Sequence, residues 1–182
     1  VSIFAMAPWL DEPDTQANRD KRLLRGIGYG IINRRLTRLA RSEDAPFRGA
    51  SFGTSNFFED ARSTGLNVAS ADGEWEKGVL AAVQVMNEAL TYGFTQAEGD
   101  EQLANRRTAA ENAVKAAETR SNAAYVGSAM RVISAESVLT TPQYRLEQFE
   151  RMAPNITPEA VFEELKSHVA DLDNPLIRFQ GR

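Results

Sequence analysis

Apolar positions recur along the chain with two different periods, and the switches between them divide it into ten elements. Val1 to Trp9 (VSIFAMAPW) reads as a strand, and Pro13-Asp14 breaks it. Leu23, Ile27 and Ile31 then fall at spacings of four, and Ile32, Leu36, Leu39 and Ala40 continue the stripe, which predicts a helix to about Arg41 lying on a core. From Phe47 to Ala71 the run is rich in Gly, Ser, Thr, Phe and Val, with Leu66 and Val68 alternating against Asn67. This predicts a hairpin of strands at 47–57 and 61–71, joined near Glu59 and Asp60.

Asp72 is placed to cap the next helix, with Trp75, Val79, Ala82, Val83, Met86 and Leu90 on one face and Gly93 as the stop. Thr95 and Glu98 form a Thr-x-x-Glu capping box opening a helix to about Thr119, with Leu103, Ala110, Val114 and Ala117 on its inner side. A further helical pattern covers Asn122 to Ala135. Thr141-Pro142 and Thr157-Pro158 open two more helices with proline at the first helical position, one running to Met152 and one through Val161, Leu165 and Val169. Pro175 to Phe179 (PLIRF) closes the pattern as a strand. The order β-α-β-β-α-α-α-α-α-β, without regular β-α alternation, predicts an α+β fold: a mainly antiparallel sheet with helices packed on one face.

At 182 residues and 42% hydrophobic content, one domain spanning 1–182 is expected. No stretch approaches the roughly 20 apolar residues needed to span a bilayer, and the N-terminus lacks the layout of a signal peptide. The chain opens on Val1 already in a strand and ends just after another, so it is expected to be a fragment of a longer multidomain polypeptide. The absence of cysteine excludes thiol nucleophiles and thiolate metal sites. A net charge of −4 gives no overall electrostatic case for nucleic acid or membrane as partner.

Local motifs offer chemistry that their context withholds. Gly49-Ala50-Ser51-Phe52-Gly53 matches the Gly-x-Ser-x-Gly of a nucleophile elbow, but Thr54 to Phe58 has no helical pattern to follow it, so a small-residue strand is expected. Gly26-Ile27-Gly28-Tyr29-Gly30 imitates a dinucleotide fingerprint, but Lys21 to Arg25 before it is helical in pattern where a strand is required. At about 1 kcal/mol each against alanine, these glycines call for a close-packing reason. His168 is the only histidine, too few for a zinc site with three protein ligands. Asp171, Asp173 and Asn174 lack the glycine and terminal glutamate of a calcium loop, so they are expected to be solvated. Arg19, Lys21, Arg22, Arg25, Arg34, Arg35, Arg38 and Arg41 concentrate on the first helix, but only Arg34, Arg38 and Arg41 share a stripe. An exposed, salt-bridged face is expected there, not a nucleic-acid groove.

Several segments together resemble the domains of pitrilysin/insulinase-type zinc peptidases: the strand and turn APWLDEPDT, the helix end Ile32-Asn33-Arg34-Arg35-Leu36-Thr37-Arg38-Leu39, the turn Asp44 to Phe47, and Tyr92-Gly93-Phe94-Thr95-Gln96-Ala97-Glu98, which is similar to the family's Gly-Phe-Thr-x-x-Glu junction. The resemblance covers nearly the whole chain and implies the fold of a mitochondrial processing peptidase-like domain. The family's zinc domain carries His-x-x-Glu-His, which this chain lacks. The resemblance therefore implies a metal-free domain forming part of the wall of the substrate chamber. One such domain in active members supplies an arginine and a tyrosine to the substrate; here the matching stretch begins Leu39-Ala40-Arg41 and reaches Phe47 where the tyrosine is looked for. That departure points to the domain following the zinc domain, with no catalytic residue, no metal ligand, and Arg41 as the one substrate-binding candidate.

The resulting expectation is a structural, substrate-chamber domain of a zinc metalloendopeptidase acting on peptides, inactive in isolation. Its partners would be the other domains of the same polypeptide and the peptide, with zinc bound by another domain. A free-standing protein-interaction module is the alternative, and an autonomous hydrolase using Ser51 is a third reading. Bacterial members of the family are often exported, which implies a periplasmic setting, with the cytoplasm as the alternative.

Overall fold

A computed structural model describes residues 1–134 and 137–181. The elements run β1 (Ser2–Pro8), α1 (Gln16–Ala40), β2 (Gly49–Phe57), β3 (Ala61–Ala69), α2 (Trp75–Tyr92), α3 (Gln96–Lys115), α4 (Asn122–Ser134), α5 (Pro142–Met152), α6 (Pro158–His168) and β4 (Leu176–Arg178). The predicted order of strands and helices is the order found. The expected end of the 122–135 helix, Ala135, lies outside the described residues.

Local chemistry sets most of the boundaries. Thr95 accepts from the Glu98 N–H while the Glu98 carboxylate accepts from the Thr95 N–H, which completes the capping box. Thr141 and Thr157 each accept from the backbone N–H three residues on, with proline in the first turn. Gly93 ends α2 at φ 74°, a conformation that disfavours any residue with a Cβ. One expectation fails here: α2 starts after Glu74, without a side-chain cap, and Asp72 lies before a turn built on Gly73 at φ 81°. Trp75 is also not a core residue; it is 42% exposed and its ring stands edge-on to Phe179, 4.9 Å between centroids.

The four strands form one antiparallel sheet in the order β2-β3-β1-β4. Phe52, Leu66 and Val68 point to one face and share a core with Ile32, Leu36, Ala82, Met86, Ala89 and Leu165. Helices α1, α2 and α6 therefore pack on that face. A second cluster, Ile27, Ile31, Ile156 and Val161 with Leu103 beside it, fills the other side of α1. The helical layer is thus double, with α1 lying between the sheet and the outer helices.

Gly28 has the packing role its cost called for, while Gly26 and Gly30 face the ends of flexible side chains. A Cβ on Gly28 would come within 3.0 Å of Leu165 Cδ2, on Gly26 within 2.7 Å of Arg106 Nη2, and on Gly30 within 2.5 Å of Gln102 Oε1. Gly28 seats α1 against α6, and Gly26 and Gly30 lie on the side of α1 that faces α3.

Asn33 ties α1 to the edge of the sheet. Its amide donates to Phe52 O (2.8 Å) and its carbonyl accepts from Phe52 N–H (2.9 Å), so both ladder groups of Phe52 that point away from β3 are taken. Replacing it leaves a donor and an acceptor unpaired at a partly buried site. Asn33→Ala is expected to destabilise the fold by about 1–3 kcal/mol, read as a lower urea midpoint at unchanged m-value.

Candidate functional site

The sheet has one face without helices. Phe52, Leu66 and Ala5 point inward, so the residues between them point outward. They are mostly small or polar: Ser51, Gly53 and Ser55 on β2, and Ser63, Gly65 and Asn67 on β3. A Cβ on Gly49 or Gly53 would meet nothing within 4 Å, so that part of the face is open. Phe4 on β1 lies across Gly65, and Met6 (49% exposed) extends the surface. Ser51 belongs to this face, in mid-strand opposite Asn67. The elbow reading of Gly49 to Gly53 therefore fails, because no turn into a helix follows.

On the helix side, a cleft of about 970 Å³ opens beside Trp9, Phe58, Glu59 and Asp60 and reaches a chain of polar side chains. The Tyr29 hydroxyl is 2.5 Å from Thr54 Oγ1 and 3.0 Å from His168 Nδ1; Thr54 Oγ1 is 2.6 Å from Thr64 Oγ1, which accepts from the Ala170 N–H at 2.9 Å. Arg62 Nε donates to the His168 carbonyl at 3.1 Å. Next to this network Arg25, only 7% exposed, pairs with Glu12 and Glu164, each at 2.6 Å. Burial first, then the positive charges of Arg25 and Arg62, push His168 down from 6.5 to about 4, so its imidazole is neutral near pH 7. Burial also raises Tyr29. Ser51 and His168 lie on opposite sides of the sheet, which excludes their pairing as nucleophile and base. The network joins α1, the hairpin and the end of α6; it is a structural brace.

The remaining candidates are scattered. Asp171, Asp173 and Asn174 lie in an exposed loop, where Asp171 Oδ1 accepts from the Asp173 N–H. Arg19 and Arg22 share Asp14, Arg34 meets Glu101 at 2.9 Å, and Arg35 meets Glu98 at 2.6 Å. The helix is salt-bridged as expected, but Arg25 and Arg35 are not on an exposed face: they join α1 to α6 and α3 through the interior. Arg41 is exposed, caps α1 through its N–H to Arg38 O, and has no carboxylate partner among the described residues. Phe47 is 3% exposed in the core, so a buried ring stands where the resemblance looks for a tyrosine hydroxyl.

Among the described residues no group of three or more His, Cys, Asp or Glu is arranged to hold a metal. His168 Nδ1 is engaged by Tyr29, and the chain has no other histidine and no cysteine. The Tyr29–Thr54–Thr64–His168 network was missed at the level of sequence. Part of its signal was there, since a hairpin turning at 58–60 places Thr54 opposite Thr64.

The network and the ion pairs give stability a defined pH dependence. His168 binds a proton at pH 6.5 when unfolded but only near 4 when folded, so stability falls as pH drops through that window. Glu98, held near 2 by Arg35 and the Thr95 cap against 4.5 ordinarily, and Asp14, held near 2 by Arg19 against 3.8, add stability that is complete above their ordinary values and lost from there down to about 2. Denaturant midpoints measured against pH are expected to fall in two stages, and His168→Gln is expected to flatten the stage between pH 6.5 and 4 while leaving the lower one.

No family model matches the sequence, and no curated protein matches it. Solved structures do. The periplasmic protease PqqL from Escherichia coli superposes with a TM-score of 0.81 at 16% identity over 91% of this chain; that span is 18% of the PqqL chain, and 36% of a structure of its first half. A predicted insulinase-family protease from Yersinia pestis gives 0.73 at 11% identity, over 92% of this chain and 36% of that one. An M16 peptidase inactive domain from Pseudomonas fluorescens gives 0.61 at 19%, over 96% and 39%. The chain therefore has the fold of a domain of the M16, insulinase-type peptidases, and it spans only a minor part of the proteins it matches.

Proposed function

We propose that this chain is a single non-catalytic domain of a longer zinc metalloendopeptidase, in which it forms part of the wall of the chamber that receives the peptide. The zinc is held by another domain of the same polypeptide. The observation that carries this reading is the asymmetry of the sheet: one face is sealed by helices, and the other presents Ser51, Gly53, Ser55 and Asn67 to open space. Its fold likeness to parts of larger proteases, one of them an inactive domain, supports the same reading.

The peptide would contact the bare face and not run along the whole β2 edge, because Asn33 already occupies the edge groups of Phe52. Arg41, exposed and unpaired among the described residues, is the cation assigned to substrate. The likeness to a periplasmic protease supports an exported setting. No helix among the described residues is long and apolar enough to cross a membrane.

The decisive comparison is between the 182-residue chain and a longer polypeptide extended upstream, each assayed for bound zinc by atomic emission and for cleavage of a quenched peptide. The short chain is expected to be zinc-free and inactive and the long one to bind zinc and cleave; stoichiometric zinc or cleavage by the short chain overturns the proposal. In the long polypeptide, Gly53→Trp is expected to lower kcat/KM by about tenfold without loss of folding, and Arg41→Ala to raise KM at unchanged kcat. Ser51→Ala, which removes the hydroxyl a serine nucleophile would need, is expected to leave kcat within about twofold.

A further inference from the structure

A second surface lies on the far side of the helical layers from the bare sheet face. The start of α1, the end of α3, α4, the 137–141 segment and α5 enclose an open cleft of about 1070 Å³. Its floor is apolar, with Leu23, Val114 and Phe149 below and Tyr125, Ala129 and Val132 of α4 along one wall. Those three α4 positions follow helical spacing. Val126, Met130 and Ile133 repeat the same spacing one residue on, about 100° further round the axis, and are 62%, 60% and 76% exposed. Val138 and Leu139, on the opposite wall, are 62% and 67% exposed. The apolar surface thus continues out of the cleft over both lips, and an exposed patch of this kind marks a contact site.

Charge narrows what fits. Arg19, Arg22, Arg120 and Arg145 line the cleft, and among the described residues Asp14 is the only carboxylate that lines it. Asp14 is already committed to Arg19 and Arg22. Arg120 lies over the Tyr125 ring, 5.3 Å from its centroid, and neither Arg120 nor Arg145 has a carboxylate partner among the described residues. An apolar trough rimmed by unpaired guanidiniums suits a helix with one apolar face and acidic flanks. A cleft of about 1070 Å³ holds roughly two turns of helix.

We propose that this cleft docks an acidic amphipathic helix from another polypeptide segment, its apolar face on Ala129 and Val132 and its carboxylates on Arg120 and Arg145. The proposal does not depend on the peptidase reading. It is tested with the 182-residue chain and two fluorescein-labelled peptides of about 16 residues, alike in their leucine stripe but with glutamate on the polar face of one and lysine on the other. By anisotropy the glutamate peptide is expected to bind with Kd on the order of 10 µM, at least about tenfold tighter than the lysine peptide, and to weaken as salt rises. Arg120→Glu with Arg145→Glu is expected to abolish that preference, and Ala129→Trp, at an exposed position, to block the glutamate peptide while circular dichroism stays unchanged. Equal affinity for the two peptides, no binding of either, indifference to the arginine reversals, concentration-dependent dimerisation that buries the cleft, or binding to phosphatidylglycerol vesicles in place of the peptide would each overturn it.

Discussion

The close seating of α1 is the constraint on which the rest of the structure depends. A helix of 25 residues lies between the sheet and the outer helices and has to present apolar residues to both sides. Ile32 and Leu36 face the sheet, while Ile27 and Ile31 face α6 and its neighbours. A helix so enclosed needs room for its neighbours' side chains, and Gly28 provides it where Leu165 of α6 packs against α1. A larger residue at Gly28 would displace Leu165, which belongs to the sheet-side core, so both cores would feel the change.

The same enclosure explains the paired arginines. Arg25 is nearly buried at the contact with α6, and it is tolerated there because Glu12 and Glu164 neutralise it from two elements. Removing either acid would leave the buried guanidinium with one carboxylate in place of two. Arg35 and Glu98 repeat the arrangement at the other end, where Glu98 also serves the cap of α3. One carboxylate therefore fixes both the start of α3 and its distance from α1.

Much of this was legible in the sequence because it rests on local rules. The capping box at Thr95 and Glu98, the Thr-Pro helix starts and the alternation around Leu66 and Val68 each announce an element without reference to the rest of the chain. The glycine cluster announced close packing, though not the partners. What stayed hidden depends on contacts distant in sequence: Asn33 on the Phe52 backbone, and Tyr29 with His168, 139 residues away. The misplaced cap at Asp72 has a local origin instead. An isolated Asp before a helix pattern is a good local signal, but Gly73 turns the chain so that α2 begins at Trp75. The candidate site was the least legible part, because a bare sheet face is defined by what does not pack on it, and alternating Ser and Gly leave no motif.

The two exposed surfaces obey different physical requirements, and that difference bears on how the domain works. The sheet face is built of small side chains and backbone, so it demands no particular shape or charge of what lies beside it. The cleft under α4 is apolar and basic, so it selects for shape and charge and stays fixed once filled. The double helical layer lies between the two, held by the Asn33 bridge, the buried arginine pairs and the tyrosine–histidine brace. The helical layers therefore separate a surface of small side chains from one that is apolar and basic.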